Sequence, residues 1–398
     1  MIHIYRKKML NKKSIQNQSD DIGTIHKLPL RSRIAVLLIN FGGPHSLGTV
    51  KPFLFNLFND PTVLNFPLSF LYRKPLAWLI SNMRDMTSRE MYKKIGSISP
   101  LIPITYLQSE KLQELFNKNN LPLDVFIGFR YCKPFIEDAL SEISNKNYDK
   151  LIVLPLYPQY SYTTIGSAQV AVNSWFKKHV ARRNKVTTKQ SRSNSPKADR
   201  DCGACPEQSE GSPRNDMELH FIKEWYTDDD YIQSYVSLIQ DCLKNLDLRS
   251  TEIIFSAHSI PVFNIENGDP YKEHIIKSAN LIIQKLKWKK KWHLGYQSKL
   301  GPVKWLEPST DKVIEEIALR NKNTNILVVP ISFVCEHVET IYEIGMLYKD
   351  IANKHGIKKF TRVPALNTNK YLIQALYNQV MICLEKSQID IKELLTVI

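Results

Sequence analysis

The sequence predicts an α/β protein built as two similar Rossmann-like, doubly wound domains with parallel four-stranded sheets and a ligand cleft between them. Three observations carry this. Short apolar runs recur along the chain, each followed by a helix-like stretch. The runs are continuous rather than alternating, as in strands buried on both faces beneath covering helices. The first four runs also resemble the last four in order, which marks an internal repeat.

The runs are IAVLLINF (34–41), VFIGFRY (125–131), LIVLPLYP (151–158) and HFIKEWY (220–226), then EIIFSAHS (252–259), HLGYQS (293–298), ILVVPISF (326–333) and FTRVPAL (360–366). FGGP pairs with HSIP, IGFRY with LGYQS, LIVLPLYPQY with ILVVPISFVC, and WYTDDDYI with ALNTNKYL. The expected organisation is a disordered basic segment over 1–33, a first domain over 34–240, a second over 241–372, and a helix over 373–398 that packs back on the first. Ligands of doubly wound sheets sit beyond the carboxyl ends of the strands, so the cleft between the halves is the expected site.

Composition sets outer limits. A chain of 398 residues with 43% hydrophobic residues can bury a large core. The net charge of +15 suits an anionic partner. Much of the excess lies in 1–33 and in 177–216, a polar stretch read as a disordered surface insertion. Charge therefore says little about the folded core, and a nucleic-acid partner, which rests on charge alone, is not expected. Six cysteines, of which only Cys202 and Cys205 are close together, argue against a disulfide framework and supply at most half a zinc site. GGP at 42–44 lacks dinucleotide-binding spacing, and no GKS or GKT phosphate loop is present. No apolar run reaches the roughly 18 residues of a membrane span. The amino terminus has no apolar signal core, and Asp20 and Asp21 suit a transit peptide poorly, so cytoplasmic residence is expected.

Between its first two strands the first half carries LNFPLSFLYRKPLAWLI (64–80), with aromatics and leucines around Arg73 and Lys74. Two readings stand. The stretch is either an apolar lip that touches membrane or a greasy ligand, or a core helix broken by Pro67 and Pro75.

Two patterns carry chemistry. At about 100° per residue, Glu336, Glu339 and Glu343 fall on one stripe of a helix that follows ILVVPISFV, near its amino terminus. Such a stripe either relays protons and attracts a cation, or is a solvated acidic face. His258, in FSAHSIP, ends a buried strand at the edge where α/β sites form, as a ligand or as a satisfied structural residue. His258 and Glu339 occupy corresponding edges of one domain, and an imidazole with a carboxylate suits ferrous iron.

From roughly 34 to 385 the chain resembles the ferrochelatase family in ordered segments: LINFGGP, IGSISPL, IGFRY, LPLYPQYSYTTIGS, FSAHSIP, NGDPY, QSKLGPVKWLEP and VPISFVCEHVETIYE. The resemblance implies insertion of ferrous iron into protoporphyrin IX, the last step of haem synthesis, in a cleft between two Rossmann-like domains. It implies His258 and Glu339 as the metal-site pair, with Glu336 and Glu343 as an acidic path behind them. By the same matching Arg84, Tyr92 and Ser99 contact the porphyrin, and Arg130, Tyr157 and Trp305 line the cleft. The 64–80 stretch becomes the family's lip, which implies peripheral membrane contact. Iron is then substrate rather than cofactor, and no permanent cofactor is implied. No iron–sulfur cluster is expected, because only Cys383 lies near the carboxyl end, where some members cluster cysteines. Two departures stand out: Ser97 and Ile98 replace glycines, and Glu336 stands where an aspartate is common. A chelatase for another tetrapyrrole or for cobalt, or a haem carrier that kept the fold, are the alternatives. The long lip favours protoporphyrin over a more carboxylated ring, and the presence of His258 and Glu339 favours catalysis.

Overall fold

A computed structural model describes residues 33–63, 69–179, 217–299 and 301–387. The segment 1–32, the first residues of the lip (64–68), most of the 177–216 insertion and the tail after 387 lie outside the described residues.

The eight apolar runs form eight strands: β1 (Ile34–Asn40), β2 (Leu123–Phe129), β3 (Lys150–Pro155), β4 (Glu218–Phe221), β5 (Thr251–His258), β6 (Trp292–Gln297), β7 (Asn325–Pro330) and β8 (Lys359–Arg362). They make two four-stranded sheets, ordered β2-β1-β3-β4 and β6-β5-β7-β8, with every pairing parallel. Each sheet runs outward in both directions from its first strand, so the switch point lies at the carboxyl ends of β1 and β5. All seven residues of β1 are buried, as continuous hydrophobicity requires.

The main helices are α1 (Val50–Phe58), α2 (Ser69–Lys94), α3 (Leu101–Lys118), α4 (Ile136–Asn145), α5 (167–179), α6 (Asp229–Leu243), α7 (Tyr271–Leu286), α8 (Thr310–Arg320), α9 (Lys349–Lys354) and α10 (Lys370–Lys386), with a short helical turn at Val262–Glu266. Strand alternation sorts the core. Ala35, Leu37 and Ile39 face α4 and α5, while Ile254, Ile326 and Val328 face α8. The opposite faces, Ile34, Val36 and Leu38 of one sheet and Ile253, Phe255, Leu327 and Val329 of the other, belong to one core filled by α3, α6, α7 and α10. That shared layer joins the halves.

The repeat is visible atom by atom. Gly128 on β2 and Gly295 on β6 hold equivalent places, where a Cβ would stand 2.9 Å from Ile136 Cα and 2.7 Å from Thr310 Cα. Each glycine lets the next helix start directly against its strand. The following residues, Phe129 and Tyr296, donate their N–H groups to Pro134 and Pro308 at 2.8 and 2.9 Å.

One expectation is corrected here. The reading of 64–80 as a core helix broken at Pro75 does not hold, because α2 continues through Pro75 from Ser69 to Lys94. Proline removes one donor to the carbonyl four residues back, that of Leu71. Both residues lie on the exposed face, where water can satisfy that carbonyl.

Candidate functional site

β5 ends at the switch point of its sheet and delivers His258 there. The backbone of this residue is held from two sides: its N–H donates to Ser332 Oγ at 2.9 Å, and its carbonyl accepts from the Tyr271 hydroxyl at 3.0 Å. The imidazole directs Nδ1 at Glu339 Oε2, 2.9 Å away, and leaves Nε2 for another partner. Side-chain exposures of 38% for His258 and 25% for Glu339 leave the pair open to a ligand.

Glu339 starts a π-helix, Glu339–Tyr348, that continues as α9. π-Turns are rare and concentrate at functional sites. Burial favours neutral Glu339, but His258 beside it, and His337 with Nε2 3.7 Å away, outweigh burial and hold the carboxyl well below the usual range. Burial likewise disfavours charge on His258, yet Glu339 and then Glu343 raise its proton affinity. Glu343 behaves oppositely to Glu339. Burial and repulsion from Glu339 raise its pKa, against hydrogen bonds from Ser298 and Tyr348. Ser298 N–H and Oγ lie 2.9 and 2.5 Å from its two oxygens, and the Tyr348 hydroxyl 3.0 Å from one.

Glu336 corrects the expectation of one acidic stripe. It lies in the turn before the helix, and its carboxylate accepts from Arg362 Nη1 at 2.7 Å, from Ala365 N at 3.1 Å and from the Thr340 hydroxyl. A carboxylate so paired is engaged by the end of β8 and the residues after it.

The other candidate residues lie mostly in the first half, and one of them, Tyr92, comes near the pair. Tyr92, at the end of α2, is buried close enough to Glu339 and Cys132 for their charges, after burial itself, to raise its pKa. Arg84, on the same helix, is half-buried and has no hydrogen-bond or ion-pair partner among the described residues. Ser99 is 2% exposed and packs on Gly43, where a Cβ would sit 2.4 Å from its Oγ. It therefore shapes the FGGP loop from behind. Ser97 keeps a left-handed backbone, φ 67°, and so retains the turn that a glycine would adopt without strain.

Arg130 donates Nε to Ser167 Oγ at 2.7 Å and pairs Nη2 with Asp60 Oδ2 at 2.8 Å. It is thus fixed by a buried carboxylate. Tyr157 is half-buried nearby, its pKa raised first by burial and then by Tyr131, with the Arg130 charge opposing. Trp305 belongs to a loop pinned beside His258: Pro261 and Trp305 form an antiparallel bridge, and Leu306 N–H donates to Ile260 O at 3.2 Å. Cys335 donates to Gln108 Oε1 at 3.3 Å and, with burial pushing its thiol up to about 12, stays protonated. Among the described residues no group of three or more His, Cys, Asp or Glu is arranged to hold a metal ion.

Ser298, Tyr348 and Arg362 were not singled out from sequence. Tyr348 follows Glu343 by five residues, a π-helical spacing that a 3.6-residue periodicity does not display.

The ferrochelatase family pattern matches residues 33–197 and 201–382. Ferrochelatase of Trichodesmium erythraeum is 38% identical over 364 residues, 91% of this chain and 85% of that protein. Ferrochelatase of Synechococcus elongatus gives the same identity and coverage. Chloroplastic ferrochelatase-2 of Cucumis sativus is 38% identical over 355 residues, 88% of this chain and 63% of that protein.

Proposed function

The chain belongs to the ferrochelatase family, and from that premise we propose that His258 and Glu339 are the reacting pair of its cleft. The reaction is insertion of iron into a porphyrin for haem synthesis. The reading of the pair rests on one observation: a strand-end imidazole and a helix-start carboxylate in contact at 2.9 Å, both partly open to the cleft.

The ring loses two pyrrole protons as ferrous iron enters, and a flat macrocycle does not turn its nitrogen lone pairs toward the metal. The cleft must hold the ring bent, at a cost of about 1–5 kcal/mol drawn from binding of the remaining macrocycle. His258 Nε2 takes a pyrrole proton while Nδ1 stays on Glu339. Protons pass from His258 to Glu339, its contact partner, and on toward Glu343 further along the same helix, where burial and the Glu339 charge favour the protonated carboxyl. Glu336 stands behind this line, its carboxylate accepting from Arg362, the Ala365 N–H and the Thr340 hydroxyl. A neutral imidazole with a carboxylate also suits ferrous iron, so the pair can hold the metal only before Nε2 takes the proton. Arg84 faces a propionate, and Tyr92, Arg130, Tyr157 and Trp305 form the walls.

The macrocycle is protoporphyrin IX, taken from a membrane surface. Leu71, Tyr72, Trp78, Leu79, Met83 and Met86 of α2 are all exposed, an apolar face that a soluble surface rarely carries. No helix among the described residues is long and apolar enough to cross a membrane. On this reading the exposed face of α2 makes the chain a peripheral membrane enzyme. Anaerobic incubation with protoporphyrin IX and ferrous iron, followed by haem absorbance, tests the function. Multiple turnovers are expected, and stoichiometric haem binding without turnover would overturn it.

A further inference from the structure

We propose that Asp269, in the NGDPY turn, is a positioning residue that sets His258 and registers it against the opposite wall of the cleft; this rests on the reading of His258 as the reacting base. Asp269 is 3% exposed, and its two oxygens serve different halves of the molecule. Oδ1 accepts the Tyr271 N–H at 3.0 Å and so fixes the start of α7. Tyr271 in turn gives its hydroxyl to the His258 carbonyl at 3.0 Å. Oδ2 accepts the Ser161 hydroxyl at 2.8 Å and the Tyr162 N–H at 2.9 Å, both from the loop after β3 in the first half.

A helix-capping aspartate needs only the first of these contacts. The second set carries the connection to the first half through a buried contact. The loop that holds Oδ2 continues through the π-turn Tyr162–Gly166 to Ser167, which donates to Asp60 and accepts from Arg130. Its other end is fixed by Tyr160 N–H on His274 Nδ1, at 3.2 Å. One buried carboxylate thus joins the turn that holds His258 to the loop that holds Arg130.

Asn at this position is isosteric but cannot serve. Both Tyr162 and Tyr271 offer N–H groups, and the single amide oxygen meets one while the amide NH2 confronts the other. Asp269→Asn is expected to lower kcat about tenfold, since small misplacements of a reacting group are costly, with KM for protoporphyrin IX within about twofold of wild type. Tyr271→Phe, which cuts only the last link, should give the same split. The double variant should be no slower than the slower single, because both act through one connection. Wild-type kcat in either variant, a raised KM with kcat intact, or effects that multiply in the double variant would each overturn the proposal. If Asp269→Asn does not fold, Tyr271→Phe and Ser161→Ala carry the same comparison. His258→Ala alongside separates the two readings: full activity there defeats His258 as base, whereas an inactive His258→Ala with unaltered Asp269→Asn and Tyr271→Phe defeats this proposal alone.

Discussion

His258 Nδ1 and Glu339 Oε2 stand 2.9 Å apart although 81 residues separate them, because β5 ends where the π-helix begins. If the pair moves pyrrole protons, as proposed, His258→Ala should slow haem formation by at least about a hundredfold, the lower end of a general base's contribution. Glu339→Gln should also slow it severely. Both proteins should keep wild-type circular dichroism and melting. A near-wild-type rate in a folded variant would remove that residue from the mechanism.

Asp60 and Arg130 give a prediction in pH. Burial favours a neutral Asp60 carboxyl, but Arg130, Ser167 and Thr62 overcome this and hold its pKa below 3.8. The folded value is depressed, so the stabilisation is fully present above about 3.8 and is lost as pH falls through the lowered value. Asp60→Asn should cost about 3 kcal/mol at pH 7 by leaving Arg130 without its counter-charge. Denaturant unfolding should show the deficit shrinking below the ordinary carboxylate range. An equal deficit at every pH would assign the effect to packing instead.

The exposed face of α2 is tested by vesicle binding. Trp78→Asp combined with Leu79→Asp should reduce co-sedimentation with anionic phospholipid vesicles by roughly tenfold or more, given about 1.5–3 kcal/mol for burying one large apolar side chain. Turnover on detergent-dispersed porphyrin should change little. Unaltered vesicle binding would mean that this face does not contact lipid.

Gly128 and Gly295 should fail in parallel. A methyl group at either position meets helix backbone at 2.9 or 2.7 Å, and backbone cannot rotate away. Each Gly→Ala change should destabilise by roughly 1–3 kcal/mol, read as a lowered denaturation midpoint with an unchanged slope. Tolerance at one site but not the other would show that the two halves no longer share this packing.

The eight apolar runs by themselves determined the architecture, since unbroken Val, Ile and Leu stretches are stable only as strands covered on both faces. The repeat of motifs further indicated two sheets of equal order. Strand-end position marked His258 as a candidate, because the edge of a parallel sheet follows from where the apolar run stops, but left it open between a ligand and a structural residue until the family resemblance was considered. Tertiary structure decided what no local pattern records. Glu336 left the acidic stripe because Arg362, far along the chain, offers a paired guanidinium. Glu339 and Glu343 took opposite proton affinities because His258 outweighs burial at Glu339, whereas burial and then the Glu339 charge raise the pKa of Glu343. Arg130 is held by Asp60, and Asp269 by residues of both halves, through contacts that exist only once the shared core has closed. A residue's type is local, but its charge state and partners depend on what folding brings within a few ångströms.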